Sequence, residues 1–145
     1  KIILRQMIEY NYELDFKLKD ESYYSDWISR IIELENHKEG DISYIFCDDA
    51  YLLDLNKRYL DHDTYTDIIS FDYTDGLIIS GDIFISVDRM RSNAVEYGVE
   101  FKEELLRVMS HGILHLLGYK DKSDVDAGIM RNKEGEMMEL FHVEH

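Results

Sequence analysis

Two of the chain's six histidines stand four residues apart in the stretch "MSHGILHLLGYKD", residues 109–121. On a helix, His111 and His115 fall one turn apart on the same side, where two imidazoles can meet one ion. Gly118 is placed to end such a helix in a left-handed conformation and turn the chain back. That turn brings Asp121 within reach as a carboxylate ligand. Two nitrogens and one oxygen leave a fourth tetrahedral position open to water, the donor count of a catalytic zinc site rather than a closed structural one. A competing reading is a buried helix, marked by Leu105, Val108, Leu114 and Leu117, whose neutral histidines are satisfied by backbone or carboxylate. The residues alone leave both readings open.

Position 112 narrows the chemistry. A zinc peptidase of the His-Glu-x-x-His type uses the glutamate after its first histidine as general base. Here that residue is Gly112, so peptide hydrolysis by that route lacks its base.

The elements that must position these residues follow from periodicity. "KIILRQMIEYNYELDFKL" mixes short apolar runs with alternation and fits one or two strands. In "DESYYSDWISRIIELENHKEG" the period turns helical, with Tyr24, Trp27, Ile28, Ile31, Ile32 and Leu34 on one stripe and Gly40 as the expected stop. "DISYIFCD" returns to strand composition, and Asp48 or Asp49 is expected to cap a helix through "AYLLDLNKRYL". "TDIISFDY" and "DGLIISGDIFISVD" read as two strands, with Gly81 marking a bulge or a close backbone approach. Met90, Ala94 and Tyr97 mark the next helix, and "VEFKEELLRVMSHGILHLLG" carries the histidines. The last helix is expected to start at a Ser123 cap and face inward with Val125, Ile129, Met137 and Phe141. The order β, α, β, α, β, β, α, α, α predicts one small α/β domain, bordering on α+β, with the metal site on a central helix. A mixed sheet of about four strands would pack with about five helices.

Composition bounds the partners. The chain has 145 residues, enough for one domain that buries about 68% of its unfolded surface. Its single cysteine, Cys47, makes no internal disulfide. No apolar run approaches the ~20 residues of a membrane span, and no basic-then-apolar leader opens the sequence, so a cytoplasmic protein is expected. His142 and His145, in the terminal "FHVEH", are left out of the functional set. The net charge of −15 argues against broad backbone-driven binding to nucleic acid, DNA included, while leaving room for a locally basic cleft. Arg89, Arg91, Lys102, Arg107, Lys120 and Lys122 flank the histidine stretch and are read either as an RNA-backbone contact or as scattered solubilising charge. Tyr73, Tyr97 and Tyr119 are read either as base-stacking platforms or as core.

With these residues in hand, the sequence resembles the YbeY (UPF0054) family of bacterial rRNA maturation factors. "HGILHLLGYKD" follows the family's His-Gly-x-Leu-His-Leu-x-Gly-Tyr-Asp-His stretch from His111 through Tyr119. "LNKRYLDHDTYTDIISF" is similar to the family's upstream elements at Leu55, Asn56, Asp63 and residues 66–71. "GDIFIS", residues 81–86, matches its strand motif, and Met130 stands where the family often has methionine. The resemblance implies a metal-dependent endoribonuclease with one Zn²⁺ per chain. It implies action on ribosomal RNA and the small ribosomal subunit, in company with a small-subunit ribosomal protein and a ribosome-associated GTPase.

Three departures follow from the same comparison. The family's third histidine ligand falls on Asp121, an oxygen donor that adds negative charge. The family's arginine after the aromatic residue of its Asn-x-x-aromatic stretch is Leu60, and Arg58 is the candidate substitute. The family's proline before Thr-Asp is Tyr65, which changes loop stiffness. The resemblance sets Thr66, Asp67 and Ser70 beside the cleft. The expected catalytic set is therefore Arg58, Asp67 and Ser70, with His111, His115 and Asp121 on the metal. On residue chemistry alone, Thr66, Asp67 and Ser70 also read as a plain polar lead-in to a strand. A ribosome-assembly binding protein with a mainly structural metal is the alternative function.

Overall fold

The computed structural model describes residues 8–61 and 65–144. The first seven residues, residues 62–64 with Asp63, and His145 lie outside this description, and so do the start of the expected first strand and the Asp63 match. The elements run β1 (Ile8–Tyr12), α1 (Glu21–Leu34), β2 (Lys38–Cys47), α2 (Asp49–Tyr59), β3 (Ile68–Asp72), β4 (Ile78–Ser86), α3 (Val87–Tyr97), α4 (Phe101–Leu116) and α5 (Asp124–Glu144). Their order is the one the periodicity predicts.

The four strands form one mixed sheet in the order β1-β2-β4-β3. β1, β2 and β4 are parallel neighbours, and β3 runs antiparallel along the outer edge of β4. Central strands buried on both faces read as unbroken apolar runs, and Tyr44, Ile45, Phe46 and Cys47 are all buried. Alternate side chains divide between two cores. Ile42, Tyr44, Phe46, Ile83 and Ile85 meet α1, α4 and α5 in the larger one. Cys47, Ile69, Phe71 and Phe84 meet α2 in the smaller one. Burial pushes the Cys47 thiol up to about 12, with Asp48 and Asp49 adding to the effect.

α4 carries the site, and it is held on nearly every side. Leu105, Leu106, Val108, Met109, Ile113, Leu114 and Leu116 are buried, each contributing roughly 1.5–3 kcal/mol of hydrophobic stabilisation. The Tyr44 hydroxyl donates to the Met109 carbonyl at 2.9 Å, tying α4 to the sheet centre. At Gly112 the helix lies flush on the sheet: a Cβ there would come 2.8 Å from Ile83 Cγ2 and 3.2 Å from Ile68 Cδ1. This explains the missing peptidase glutamate, since position 112 faces packed side chains rather than solvent.

Several local expectations hold and several need correction. Asp48 caps α2 by accepting from the Tyr51 amide at 2.8 Å, and Ser123 accepts from the Asp126 amide at 3.1 Å. Gly81 is a close approach: a Cβ there would come 2.6 Å from the Phe71 carbonyl oxygen. The bulge lies instead on β2, between Glu39 and Ile42. Gly40 sits inside that strand and does not end α1. The stop is Asn36, left-handed at φ 61°, with the His37 amide donating to the Ile32 carbonyl and the Asn36 amide to the Glu33 carbonyl. Asparagine adopts this conformation readily, and the pair of bonds satisfies the last carbonyls. Leu34, Tyr97, Val125 and Ile129 are exposed rather than inward. On α5 the buried stripe is Met130, Glu134, Met137 and Phe141, because packing against α1 and α4 selects that register.

Candidate metal centre

The last two turns of α4 set the first two donors. His111 and His115 present their rings edge to face, with centroids 4.6 Å apart. The helix then ends as expected: Gly118 adopts φ 104°, its amide donates to the His115 carbonyl, and the Tyr119 amide donates to the Leu114 carbonyl. The reversal brings Asp121 back over the histidines. Its Oδ2 lies 3.2 Å from His111 Nε2 and 3.3 Å from His115 Nε2. One donor atom from each of the three residues falls within 4.8 Å of the others.

The third His111 contact fixes its chemistry. Nδ1 lies 2.5 Å from Oε2 of Glu134, a carboxylate only 3% exposed. A buried carboxylate against Nδ1 fixes the ring with Nε2 facing Asp121 and the cleft, the orientation that ligating histidines use. Two imidazole nitrogens and a carboxylate oxygen converge here within reach of one cation. This nitrogen and oxygen set fits zinc.

Glu134 is held in turn by Arg107. Arg107 Nη1 lies 3.6 Å from Glu134 Oε1, and the guanidinium also grips the buried Glu104 through Nε at 2.9 Å and Nη2 at 2.7 Å. Its Nη2 reaches Asp67 Oδ2 at 3.4 Å. The Glu104 bonds, reinforced by Glu134 and Asp67, outweigh burial and hold Arg107 above its usual range. Arg107 therefore joins the strand-side wall of the cleft to the metal-side wall.

The cleft encloses about 690 Å³ and is lined by Asn56, Leu60, Thr66, Asp67, Ile68, Ser70, Asp72, Arg107, His111, His115, Asp121 and Lys122, among others. Thr66, Asp67 and Ser70 thus stand on the same cleft as the three donors. Arg58 does not. It is exposed on α2, where its Nη2 pairs with Asp54 one turn earlier at 2.6 Å, while Leu60 and Asn56 face the cleft. Two positions along a helix rotate a side chain by about 200°, so Arg58 does not stand in for an arginine at position 60.

Of the six flanking basic residues, Arg107 and Lys122 line the cleft. Arg89 pairs with Asp49 at 2.9 Å and sits over Tyr65. Arg91 lies over Phe101 and Lys102 over Phe141. Tyr73 and Tyr97 are neither core nor cleft: both are largely exposed. Tyr119 instead donates its hydroxyl to Glu35. Glu104 and Glu134 were not legible as site residues from local motifs. For Glu134 a signal existed, because it falls on the same helical stripe as Met130, Met137 and Phe141.

Fold and site together define a class: small α/β proteins presenting a possible metal-binding pair of histidines and a carboxylate to an open cleft. Residues 9–142 match the family described as Endoribonuclease YbeY, and the chain belongs to that family. It is 58% identical over 137 residues to "Endoribonuclease YbeY" of Flavobacterium psychrophilum, covering 94% of this chain and 98% of the relative. It is 59% identical over 138 residues to the protein of that name from Flavobacterium johnsoniae, covering 95% and 99%. A solution structure of a Thermotoga maritima protein superposes with a TM-score of 0.66 at 25% identity, covering 95% of this chain and 91% of the other.

Proposed function

We propose that this chain is a metal-dependent endoribonuclease acting in rRNA maturation on the small ribosomal subunit, with one Zn²⁺ held by His111, His115 and Asp121. The observation that carries the reading is the convergence of both Nε2 atoms on one Asp121 oxygen, at 3.2 and 3.3 Å, on the wall of an open cleft. Family membership supports RNA as the substrate.

Bound there, zinc supplies a Lewis acid for a phosphodiester. The chain's own groups do the rest. Glu134 orients His111 through its Nδ1, and Arg107 holds Glu134 in place. Lys122, on the cleft wall, offers a cation to the RNA backbone and to charge that builds on the phosphorus oxygens. Ser70 on β3 and Thr66 just before it offer hydroxyls across the cleft for positioning the ribose-phosphate chain. Asp67, 3.4 Å from Arg107 Nη2 on the cleft wall, is an acceptor for a substrate hydroxyl. Attack by water or by the RNA 2′-hydroxyl fits this wall equally.

The acidic surface favours one alternative. A net charge of −15 suits contact with basic ribosomal proteins better than with naked RNA, and the cleft carries Leu60 where an arginine would contact phosphate. On that reading the chain is a ribosome-assembly binding protein, working beside a small-subunit protein and a ribosome-associated GTPase, and its metal is mainly structural. A cytoplasmic location goes with either reading; no described helix is long and apolar enough to cross a membrane.

Elemental mass spectrometry of protein purified without added metal, followed by an RNA cleavage assay, tests the proposal. We expect about one zinc per chain, and loss of both zinc and cleavage in His115→Ala and Asp121→Ala with the fold retained. Zinc-loaded protein that binds small subunits but never cleaves RNA would favour the alternative. Protein that acquires no zinc on titration would overturn the metal reading.

A further inference from the structure

His111 and His115 are placed by a helix, but Asp121 is not. After Tyr119 the chain reaches Asp121 with neither helix nor strand pairing, so something else must set the third donor. Tyr119, two residues earlier, donates its hydroxyl to Glu35 Oε1 at 2.6 Å. The other oxygen of Glu35 accepts from Lys133 Nζ at 3.0 Å, and that ammonium lies 5.9 Å from the centroid of the Tyr119 ring. Glu35 is the C-cap residue of α1, just before the Asn36 stop, and Lys133 is on α5. Two elements distant in sequence, α1 and α5, therefore meet on the residue that begins the Asp121 loop.

We propose that Glu35, Lys133 and Tyr119 form a clamp that fixes the Gly118-to-Asp121 loop and thereby sets zinc affinity. Glu35 and Lys133 are positioning residues: neither touches the donors, and each acts through Tyr119. The layout on α5 gives the clamp its logic. Lys133 steadies the loop of the third donor, while the adjacent Glu134 steadies His111, so one turn of α5 serves both halves of the site. A charge-assisted pair on a partly buried carboxylate is stronger than a neutral hydrogen bond. Outer contacts of this kind typically change metal affinity by about 10–100-fold. The inference rests on the zinc reading for its affinity component and on geometry alone for its loop component.

The test uses the full chain and the variants Tyr119→Phe, Lys133→Met and Trp27→Phe. Trp27→Phe is the control, because it removes the 2.7 Å bond from Trp27 Nε1 to the Met137 carbonyl. That bond joins α1 to α5 as the clamp does, but away from the loop. Zinc dissociation constants come from competition with a chromophoric chelator, and backbone amide exchange at residues 119–121 is followed on metal-free protein. We expect Tyr119→Phe and Lys133→Met each to weaken zinc about tenfold and to speed loop exchange, with Trp27→Phe changing neither. Zinc affinity within twofold of the parent in folded Tyr119→Phe would overturn the affinity role. A parent that binds no zinc overturns the metal reading instead. The exchange data then judge the clamp, since unchanged loop protection in Tyr119→Phe sinks it. If Lys133→Met fails to fold, Tyr119→Phe, which loses one hydroxyl, still decides.

Discussion

His111 and His115 hang from a helix that the core grips on nearly every side, whereas Asp121 hangs from a loop tied down by contacts far away in sequence. The first pair is placed by local rules of helix geometry. The third donor depends on a glycine that reverses the chain and on a tyrosine held by α1 and α5. The comparison teaches that one metal site can have two kinds of rigidity, and that they should fail differently.

The largest effect tests the helical half. His111→Ala removes a donor while leaving the buried helix in place, so zinc affinity should fall by more than about 100-fold, beyond the range of an outer contact. Circular dichroism should be nearly unchanged. Asp121→Ala should match that loss, and Asp121→His should restore tight binding if the loop is rigid enough to aim either side chain. A mobile loop would instead leave Asp121→His as weak as the alanine variant, measured in the same chelator competition.

One step outward, Glu134→Gln keeps the shape of the side chain that meets His111 Nδ1 at 2.5 Å but removes the charge. It also cuts the Arg107 pair at 3.6 Å. Zinc should bind about 10–100-fold more weakly, read by isothermal titration. An equal affinity would mean that α4 alone orients His111, and that the buried carboxylate is there for packing with Arg107.

What the sequence made legible follows the same division. The His111–His115 spacing, the Gly118 reversal and the element order rest on local periodicity and turn chemistry, which act over a few residues. Asp121 could be named from its distance past the glycine. Arg107 was visible only as one charge among six, since its role comes from Glu104, Glu134 and Asp67 on three different segments. Gly40 misled because glycine serves bulges as well as helix ends, and Asn36 had the left-handed conformation instead. Val125 and Ile129 misled because apolar residues at helical spacing do not say which register tertiary packing will choose. Arg58 was drawn in by charge type, and helical rotation puts it on another face.

Gly112→Ala probes the rigidity of the helix mount itself. Alanine is favoured over glycine in a helix interior by about 1 kcal/mol. The new Cβ would nevertheless sit 2.8 Å from Ile83 Cγ2, and overpacking a buried side chain costs about 1–3 kcal/mol. The second term is larger, so the variant should be less stable by about 1 kcal/mol, lowering Tm by about 2–4 °C in a domain of this size. A rise in Tm would mean that α4 shifts off the sheet easily, and the contrast between a fixed helix and a tied loop would weaken.

The smallest effect separates the halves by pH. Burial pushes the Glu35 carboxyl up, but the Tyr119 hydroxyl and Lys133 ammonium outweigh it and hold it below the ordinary glutamate range. A depressed carboxylate favours the fold at pH values above its unfolded value, about 4.3. That contribution is lost as pH falls through the lower folded value. In metal-free protein, the urea midpoint of the parent should exceed that of Glu35→Gln by a constant margin from pH 7 to about 5, and the margin should close as pH drops below about 4. The same titration on His111→Ala should leave the Glu35 margin intact, because Glu35 acts on the loop and not on α4. Were the margin to widen on acidification, Glu35 would be protonated more easily in the fold than outside it, and the clamp would not be holding a charged carboxylate.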